Sequence, residues 1–227
     1  MIEHFINRAS TYAGDVDFLF DLITYMAGFW FLVAEGALFY LLFRFRKKPG
    51  IKSAYIDGTQ KKHKRWIGIP HILIIICDIV LIWGAGKVWY KIKQNLPEPD
   101  ATIGIVSQQW AWTFIHPGKD GKLYTDDDVK LIDELHVEKG KTYHFELTSR
   151  DTLHSFSVPA FRLKQDAVPG RKIRGWFKPD KEGVVDIQCA EMCGIGHGVM
   201  NARLFVHTKE EFDDWILSQP RFSFSEK

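Results

Sequence analysis

The chain opens with two long apolar stretches and then changes to short segments in which apolar and polar residues alternate. The first stretch, 22–43, contains one formal charge, Glu35, and the second, 67–86, is interrupted only by one histidine and Asp78. Each stretch has about 20 residues, which as a helix spans a hydrocarbon core of about 30 Å. Two buried helices of a soluble protein are the alternative, but charged flanks on both stretches favour two membrane spans. The predicted helices are about 18–46 and 66–93.

Basic residues between the two stretches predict the orientation of the hairpin. Loops rich in lysine and arginine stay on the cytoplasmic side, so both termini are expected on the outer side. The basic residues next to the stretches are Arg44, Arg46, Lys47, Lys48, Lys61, Lys62, Lys64 and Arg65. Residues 1–17 contain several charges and lack the apolar core of a cleavable signal. They are expected to form a short outer segment.

From about residue 101 the alternation has the period of β-strands. Many short segments separated by turn signals predict an antiparallel sandwich or barrel. The predicted strands are 102–107, 110–116, 130–137, 141–147, 154–159, 172–177, 184–189 and 202–207. A capping box at 208–211, followed by an apolar face, predicts a closing helix. The expected domains are an N-terminal segment with the hairpin, 1–95, and an outer domain, 96–227.

Composition excludes some classes of protein. The net charge of +2 gives no indication of a nucleic-acid partner, and three cysteines are too few for a disulfide framework. Cys77 lies in the second apolar stretch and is expected to be a small packing residue. The other two cysteines, Cys189 and Cys193, lie on the predicted outer side, where a disulfide between them is one possibility.

Residues 189–200 concentrate metal-binding side chains. The segment reads Cys-Ala-Glu-Met-Cys-Gly-Ile-Gly-His-Gly-Val-Met, with two thiols, an imidazole, a thioether and a carboxylate. Sulfur and imidazole select copper, zinc or iron–sulfur centres, and the thioether of Met200 favours copper over zinc. Two thiolates on one loop can bridge two copper ions, each of which then needs a terminal imidazole. His197 and an upstream histidine would supply these.

Several upstream histidines compete for that second position. His154, in Thr-Leu-His-Ser-Phe, is favoured, and the competitors are His136, His144 and His207. His136 and His144 lie in predicted strands and are expected to be surface residues. His116 precedes a proline in a turn and is expected to be structural or solvent-facing.

At these residues the chain resembles subunit II of haem–copper oxidases, a family with a dinuclear CuA centre. The loop fits the pattern Cys-x-Glu-x-Cys-Gly-x-x-His-x-x-Met, and further matches are Gln-Trp-Ala-Trp at 109–112, Leu-His-Ser-Phe at 153–156 and Asp-Ala-Val-Pro-Gly-Arg at 166–171. The likeness covers nearly the whole chain. It implies a two-helix transmembrane hairpin followed by an all-β cupredoxin-like sandwich with a C-terminal helix.

The resemblance also implies roles for individual residues. Cys189 and Cys193 would bridge two copper ions, and the implied CuA ligands are His154, Cys189, the carbonyl of Glu191, Cys193, His197 and Met200. The carboxylate of Glu191 would bind a magnesium ion shared with subunit I. Trp110 would be the first residue to accept an electron. Haem is expected only in the partner subunit.

The implied function is that of an electron-accepting subunit of a respiratory oxidase, cytochrome c oxidase. Electrons from cytochrome c would pass through CuA to haem in subunit I, where oxygen is reduced to water. Expected partners are subunit I, subunit III, cytochrome c and membrane lipid, in a bacterial cytoplasmic membrane or the mitochondrial inner membrane. Acidic residues that could dock a basic donor are Asp126, Asp127, Asp128, Asp133, Glu134 and Asp151.

Two other functions stay open from the sequence. One is the CuA subunit of a haem–copper nitric oxide reductase, because His63 stands where oxygen-reducing relatives often have a glutamate that feeds a proton channel. Glu35 and Asp78, charged residues inside the apolar stretches, are further candidates for a proton path with His63. The other function is that of a membrane-anchored copper or zinc carrier.

Overall fold

A computed structural model describes residues 2–52, 55–118 and 120–219 of the chain. Helix α1 is Ala13–Arg44, and helix α2 is Lys61–Trp89, continued by a π-helical turn at Tyr90–Gln94. Each helix is long and apolar enough to cross a membrane. Both helices begin about five residues earlier than predicted. The prediction rested on apolar composition, which identifies only the part of a helix that can lie in lipid. The lysine-rich start of α2 consists of good helix formers that the apolar pattern could not reveal.

Contacts within the chain divide the described residues into two compact units. The β unit consists of the residues up to Asp17 together with those from Trp89 onward, and the helical unit is Phe18–Val88. In the helical unit, the indole Nε1 of Trp30 donates to the thiol of Cys77 at 3.3 Å. The predicted domain boundary near residue 95 stays a proposal for the organisation of the protein.

The β unit contains ten strands in two five-stranded sheets. The strands are β1 (Ala101–Gln108), β2 (Ala111–His116), β3 (Val129–Ile132), β4 (Glu134–Glu138), β5 (Tyr143–Ser149), β6 (His154–Val158), β7 (Leu163–Ala167), β8 (Ile173–Phe177), β9 (Gly183–Cys189) and β10 (Asn201–His207). One sheet has the order β3-β2-β1-β5-β8 and the other β4-β10-β9-β6-β7. The sandwich, closed by helix α3 (Lys209–Ser218), has the predicted fold class. It is not purely antiparallel, since β1 pairs with β5 and β4 pairs with β10 in parallel.

One predicted strand is in fact two strands in different sheets. The segment 130–137 is broken at Asp133, whose φ of +58° is a left-handed conformation that ends regular pairing. Before this residue β3 pairs with β2, and after it β4 pairs with β10. The prediction failed because the alternation of apolar and polar residues continues through the break.

Aromatic packing between the sheets positions the strand that carries His154. Phe156, two residues further along β6, is fully buried and lies edge-on to Trp112 and Phe145, with ring centroids 5.7 and 5.8 Å apart. Such edge-to-face pairs add to the stabilisation that burial of their area already gives. Phe156 is also the backbone partner of Cys189 in β9. The core therefore fixes β6 and β9 side by side where the predicted metal ligands begin.

An N-terminal strap, residues 9–17, packs on the β unit. Tyr12 is fully buried, and its hydroxyl donates to the carbonyl of Trp176 at 3.3 Å. Arg162 holds the carboxylate of Asp17 with two hydrogen bonds, from Nε at 2.6 Å and from a terminal guanidinium nitrogen at 3.1 Å. The strap thus adds core and ion-pair contacts to a domain that follows it by more than eighty residues in the chain.

Helix α3 docks on the second sheet through stacked rings. His136 is buried, contrary to the prediction of a surface residue, and stacks on Phe205 and on Trp215 with centroid separations of 4.6 and 4.2 Å. Its Nδ1 lies 2.8 Å from Nε2 of His207. His116 is also buried, with its ring edge-on to Trp215. The aromatic neighbours, rather than strand alternation, decide the burial of these histidines.

Because these histidines are buried, we expect the β unit to lose stability in mild acid. Burial lowers the pKa of His136 to about 4, with a further contribution from His207, and burial lowers the pKa of His116 to about 3. In the unfolded chain a histidine titrates near pH 6.5. As the pH falls below about 6.5, the unfolded state binds protons that the folded state does not, so the free energy of unfolding decreases.

The expected result is a midpoint of thermal unfolding of the β unit that falls steadily between about pH 6.5 and 4. The measurement is near-ultraviolet circular dichroism of the purified chain at a series of pH values. The variant His136→Gln should have a shallower pH slope than the parent chain. An unchanged slope in this variant would contradict the assignment.

Candidate metal centre

The loop 189–200 joins two adjacent antiparallel strands, so its two ends lie side by side. Gln188 of β9 pairs with Asn201 of β10, and the amide of Cys189 donates to the carbonyl of Met200 at 3.1 Å. Within the loop, Gly194 has a φ of +120°, which only glycine adopts readily. The loop therefore folds back tightly enough to direct its sulfur and imidazole groups to one place.

All six predicted copper ligands meet in one cluster. The two thiols are free and buried, with their Sγ atoms 3.7 Å apart. On one side Nδ1 of His154 lies 3.9 Å from Sγ of Cys189. The other donors are Nδ1 of His197 and Sδ of Met200, at 3.7 and 3.9 Å from Sγ of Cys193, and the carbonyl of Glu191, at 3.3 Å from Sγ of Cys189.

The competing histidines are engaged elsewhere in the β unit. His136 and His207 contact each other below helix α3. Nε2 of His144 donates to the carbonyl of Pro97 at 2.7 Å. Among the described residues, His154 is the upstream histidine that shares a potential metal-binding group with Cys189 and Cys193.

The donors fit a soft metal centre. Burial raises the pKa of the Cys193 thiol to about 11, and the adjacent Cys189 adds to this effect. Two thiolates this close therefore need cations to neutralise them. The separations of 3.7 and 3.9 Å between sulfur and imidazole nitrogen are what metal–ligand bonds of about 2.0–2.3 Å on either side of one ion produce. The donor types are those that copper, zinc and iron–sulfur centres select.

Asp151 orients the ring of His154. Nε2 of His154 donates to its carboxylate at 2.8 Å, and the same carboxylate accepts from the amides of Gln109 and Thr152. Burial alone would raise the pKa of Asp151, but these hydrogen bonds outweigh it and lower that pKa. With Nε2 protonated, Nδ1 keeps its lone pair toward Cys189. From the sequence, Asp151 is predicted only as a docking residue for the donor; its position three residues before His154 is the signal that points to the orienting role.

Loss of this orienting carboxylate should weaken metal binding. We expect Asp151→Ala to lower the affinity for copper by about 10–100-fold, the usual effect of removing the group that orients a ligating histidine. The measurement is copper retained by the purified chain against a competing chelator. Asp151→Asn, which still offers an acceptor oxygen, should recover part of the affinity. Asp126→Asn, at an exposed aspartate in another loop, should leave it unchanged.

Trp110 rests on the metal loop and also reaches solvent. Its indole Nε1 donates to the carbonyl of Cys193 at 3.3 Å, and the side-chain Nε2 of Gln109 donates to the same carbonyl at 2.8 Å. A Cβ on Gly196 would lie only 2.4 Å from the indole ring, so that position accepts only glycine while the ring stays in place. The residue is 38% exposed. It therefore connects the surface to the backbone of a predicted metal ligand.

The acidic residues predicted for donor docking lie at two ends of the sandwich. Glu134 is exposed at the start of β4, opposite Arg203 in β10, which begins directly after Met200. Asp133 lies beside it and accepts from the amide of Trp112 at 2.8 Å. Both are therefore at the same end as the metal loop.

The other acidic group lies away from that end. Asp126, Asp127 and Asp128 precede β3, whose first residue pairs with His116 at the end of β2 remote from Trp110. Asp128 is buried, and its carboxylate accepts from the amides of Tyr124 and Thr125. This carboxylate stabilises a turn, and a docking role for Asp128 stays an untested prediction.

The residues suggested for a proton path belong to the helical unit. Glu35 is in α1, while His63 and Asp78 are in α2. Within the described part of the chain, no side-chain hydrogen bond or ion pair joins them to one another. A proton path through these residues stays a prediction.

Comparison with known proteins decides the family. Residues 101–206 match a family described as "Cytochrome C oxidase subunit II, periplasmic domain". The alternative cytochrome c oxidase subunit 2 of Bradyrhizobium diazoefficiens is 30% identical, over 92% of this chain and 82% of that protein. The chain belongs to the cytochrome c oxidase subunit II family. The probable cytochrome c oxidase subunit 2 of Rickettsia bellii is also 30% identical, over 88% of this chain and 77% of that protein.

One solved structure is similar to part of this chain. The periplasmic domain of subunit II of cytochrome oxidase from Bradyrhizobium japonicum is 31% identical, covering 55% of this chain and 96% of that domain, with a TM-score of 0.49. Membership of the cytochrome c oxidase subunit II family makes the chain a subunit of an oxidoreductase complex, as predicted. It implies a copper centre and association with other oxidase subunits. The two apolar helices and the family's periplasmic domain fit a two-span membrane protein.

Proposed function

We propose that the chain accepts electrons from a cytochrome c at a dinuclear CuA centre and passes them to haem in subunit I, where oxygen is reduced to water. The β unit and both termini would lie on the outer side of a bacterial cytoplasmic membrane or the mitochondrial inner membrane. The observation that carries this proposal is the convergence of two free thiols with donors on both sides. One thiol alone would suffice for a mononuclear site.

The ligands divide into two sets around the thiols. Cys189 and Cys193 would bridge both metal ions, His154 and Met200 would complete one coordination sphere, and His197 with the carbonyl of Glu191 would complete the other. When bound there, the copper pair would supply one-electron redox chemistry with little change in bond lengths. The chain's own residues bury the sulfurs and orient the ring of His154, and burial and hydrogen bonding of ligands are means by which proteins tune such centres.

Two further residues would connect the centre to its partners. Trp110 would receive the electron, since its ring lies between the solvent and the carbonyl of Cys193. The carboxylate of Glu191 would bind a magnesium ion shared with subunit I. That carboxylate is half-buried and lies 3.7 Å from the ammonium group of Lys164, a cation that a bound metal ion would have to displace.

The charge distribution predicts how the donor docks. Glu134→Gln should lower the rate of association with a basic cytochrome c several-fold at low salt and have little effect at high salt, because complementary charges act mainly on the on-rate and are screened by ions. The measurement is donor oxidation by the assembled oxidase as a function of ionic strength. Asp126→Asn removes the same charge at the other end of the sandwich and should leave the association rate unchanged at both low and high salt. Equal effects of both variants would contradict docking at the metal end.

Copper stoichiometry and electron paramagnetic resonance test the proposed function. The purified chain should bind two coppers, and its hyperfine pattern should show one unpaired electron coupled equally to two copper nuclei. A spectrum of a single copper would exclude the dinuclear centre, and a silent zinc-loaded protein would favour the carrier function. Oxygen consumption by the assembled complex, with nitric oxide as the alternative acceptor, identifies the terminal reaction.

A further inference from the structure

The loop between the two long helices has a charge unlike the rest of the chain. Residues 44–65 contain nine of the 30 basic residues and only one of the 28 acidic residues, Asp57. The carboxylate of Asp57 accepts from the amide and hydroxyl of Thr59, on its own turn. Within the described part of the loop, no basic side chain forms an ion pair. The cations of this segment are therefore available to an external anion.

Five of these cations line one cavity of about 770 Å³. The turn at Pro49–Gly50 produces it: Gly50 has a φ of +78°, and the amide of Ile51 donates to the carbonyl of Lys48 at 3.3 Å. The chain is thereby folded back toward the end of α1. The cationic residues that line the cavity are Arg44, Arg46, Lys47, Lys48 and Lys52.

Apolar side chains alternate with these cations. Phe45, Ile51 and Ile56 line the same cavity and are all largely exposed. The guanidinium of Arg44 lies over the ring of Phe45, 5.5 Å from its centroid. Exposed aromatic and aliphatic side chains among cations are typical of segments that lie at a membrane interface. There the apolar side chains contact the lipid acyl chains just below the headgroups. Basic residues next to a spanning helix bind anionic lipid.

We propose that this cavity binds the headgroup of an anionic phospholipid. The cations would hold the phosphate, and Phe45, Ile51 and Ile56 would contact the first carbons of the acyl chains. The site lies at the end of an apolar helix, where a headgroup is the anion present at the highest local concentration.

Spin-labelled lipid tests the proposal in vesicles that contain the full chain. Phosphatidylglycerol should associate with the chain more strongly than phosphatidylcholine. Lys47→Gln/Lys48→Gln should reduce that preference about 25-fold at low salt, since each lysine near an anionic surface contributes a factor of about five. Lys122→Gln/Lys181→Gln, which removes the same charge from exposed positions of the β unit, should leave the preference unchanged.

Three outcomes would overturn the proposal. The first is an equal preference in the parent chain and the loop variant. The second is displacement of the labelled lipid by inorganic phosphate but not by chloride at matched ionic strength, which would identify a free anion as the ligand. The third is loss of the preference for phosphatidylglycerol in the assembled oxidase, which would show that a partner subunit covers the loop instead of lipid. The loop variant keeps most of the cations, and limited proteolysis of the vesicles verifies its orientation.

Discussion

Replacing Cys193 by serine should abolish the two-copper spectrum and reduce donor-driven electron transfer by at least a hundredfold. Sγ of Cys193 lies 3.7 Å from Nδ1 of His197, 3.9 Å from Sδ of Met200 and 3.7 Å from Sγ of Cys189. A serine hydroxyl is a much poorer ligand for copper than a thiolate. In the proposed dinuclear centre, removal of this one sulfur would take a bridging ligand from both copper ions at once.

The measurements are copper content, the paramagnetic resonance spectrum and turnover of the assembled oxidase. Cys77→Ser is the matched control, because it makes the same atomic change in the helical unit, at a thiol that contacts Trp30. It should leave the spectrum and copper content unchanged. A variant Cys193→Ser chain that still holds two coppers sharing one electron would show that the thiols do not bridge them.

Replacing Arg162 by alanine should lower the free energy of unfolding by about 3–5 kcal/mol, because it leaves the buried carboxylate of Asp17 without its partner. The two side chains are only 6% and 10% exposed. Arg162 also donates to the carbonyls of Pro159 and Ile6. Its loss would therefore release the N-terminal strap as well as one ion pair.

Denaturant unfolding of the purified chain in detergent, followed by tryptophan fluorescence, measures this effect. Arg174→Ala is the control, since that arginine is 72% exposed and forms an ion pair with Glu146 at 3.5 Å. Exposed pairs contribute about 0–1 kcal/mol. Equal losses in the two variants would mean that the strap adds nothing to stability.

The sequence predicts most of the fold because two patterns of apolar residues dominate it. Long apolar runs and short alternating segments identify both long helices and most strands. The failures have local causes. Asp133 adopts a positive φ that no periodicity reports. Strand β7, which was not predicted, has only five residues and directly follows Arg162, another residue at positive φ. The burial of Tyr12 depends on contacts with distant residues that no local pattern contains.

The metal cluster is predictable for a different reason. Cysteine, histidine and methionine at short spacing are recognisable without the fold, and the structure brings all six candidates together. The sequence does not show which neighbouring side chain orients each ligand. From the sequence alone Asp151 is an ordinary surface acid. The pairing of β1 with β5 brings Gln109 close to Asp151, and only the fold shows that the Asp151 carboxylate accepts from both Gln109 and His154.

The strap has a consequence for the order of folding. Its contacts join residues separated by 151 and 164 positions, Ser10 with Phe161 and Tyr12 with Trp176. Because synthesis proceeds at about 5–20 residues per second, the strap waits on the order of ten seconds for its binding surface to be made. Contacts of such long sequence separation form late, since loop closure must come first. The strap is translated before the β-strands it packs on and is thus among the last segments to be placed, so its docking would indicate that the rest of the β unit has folded.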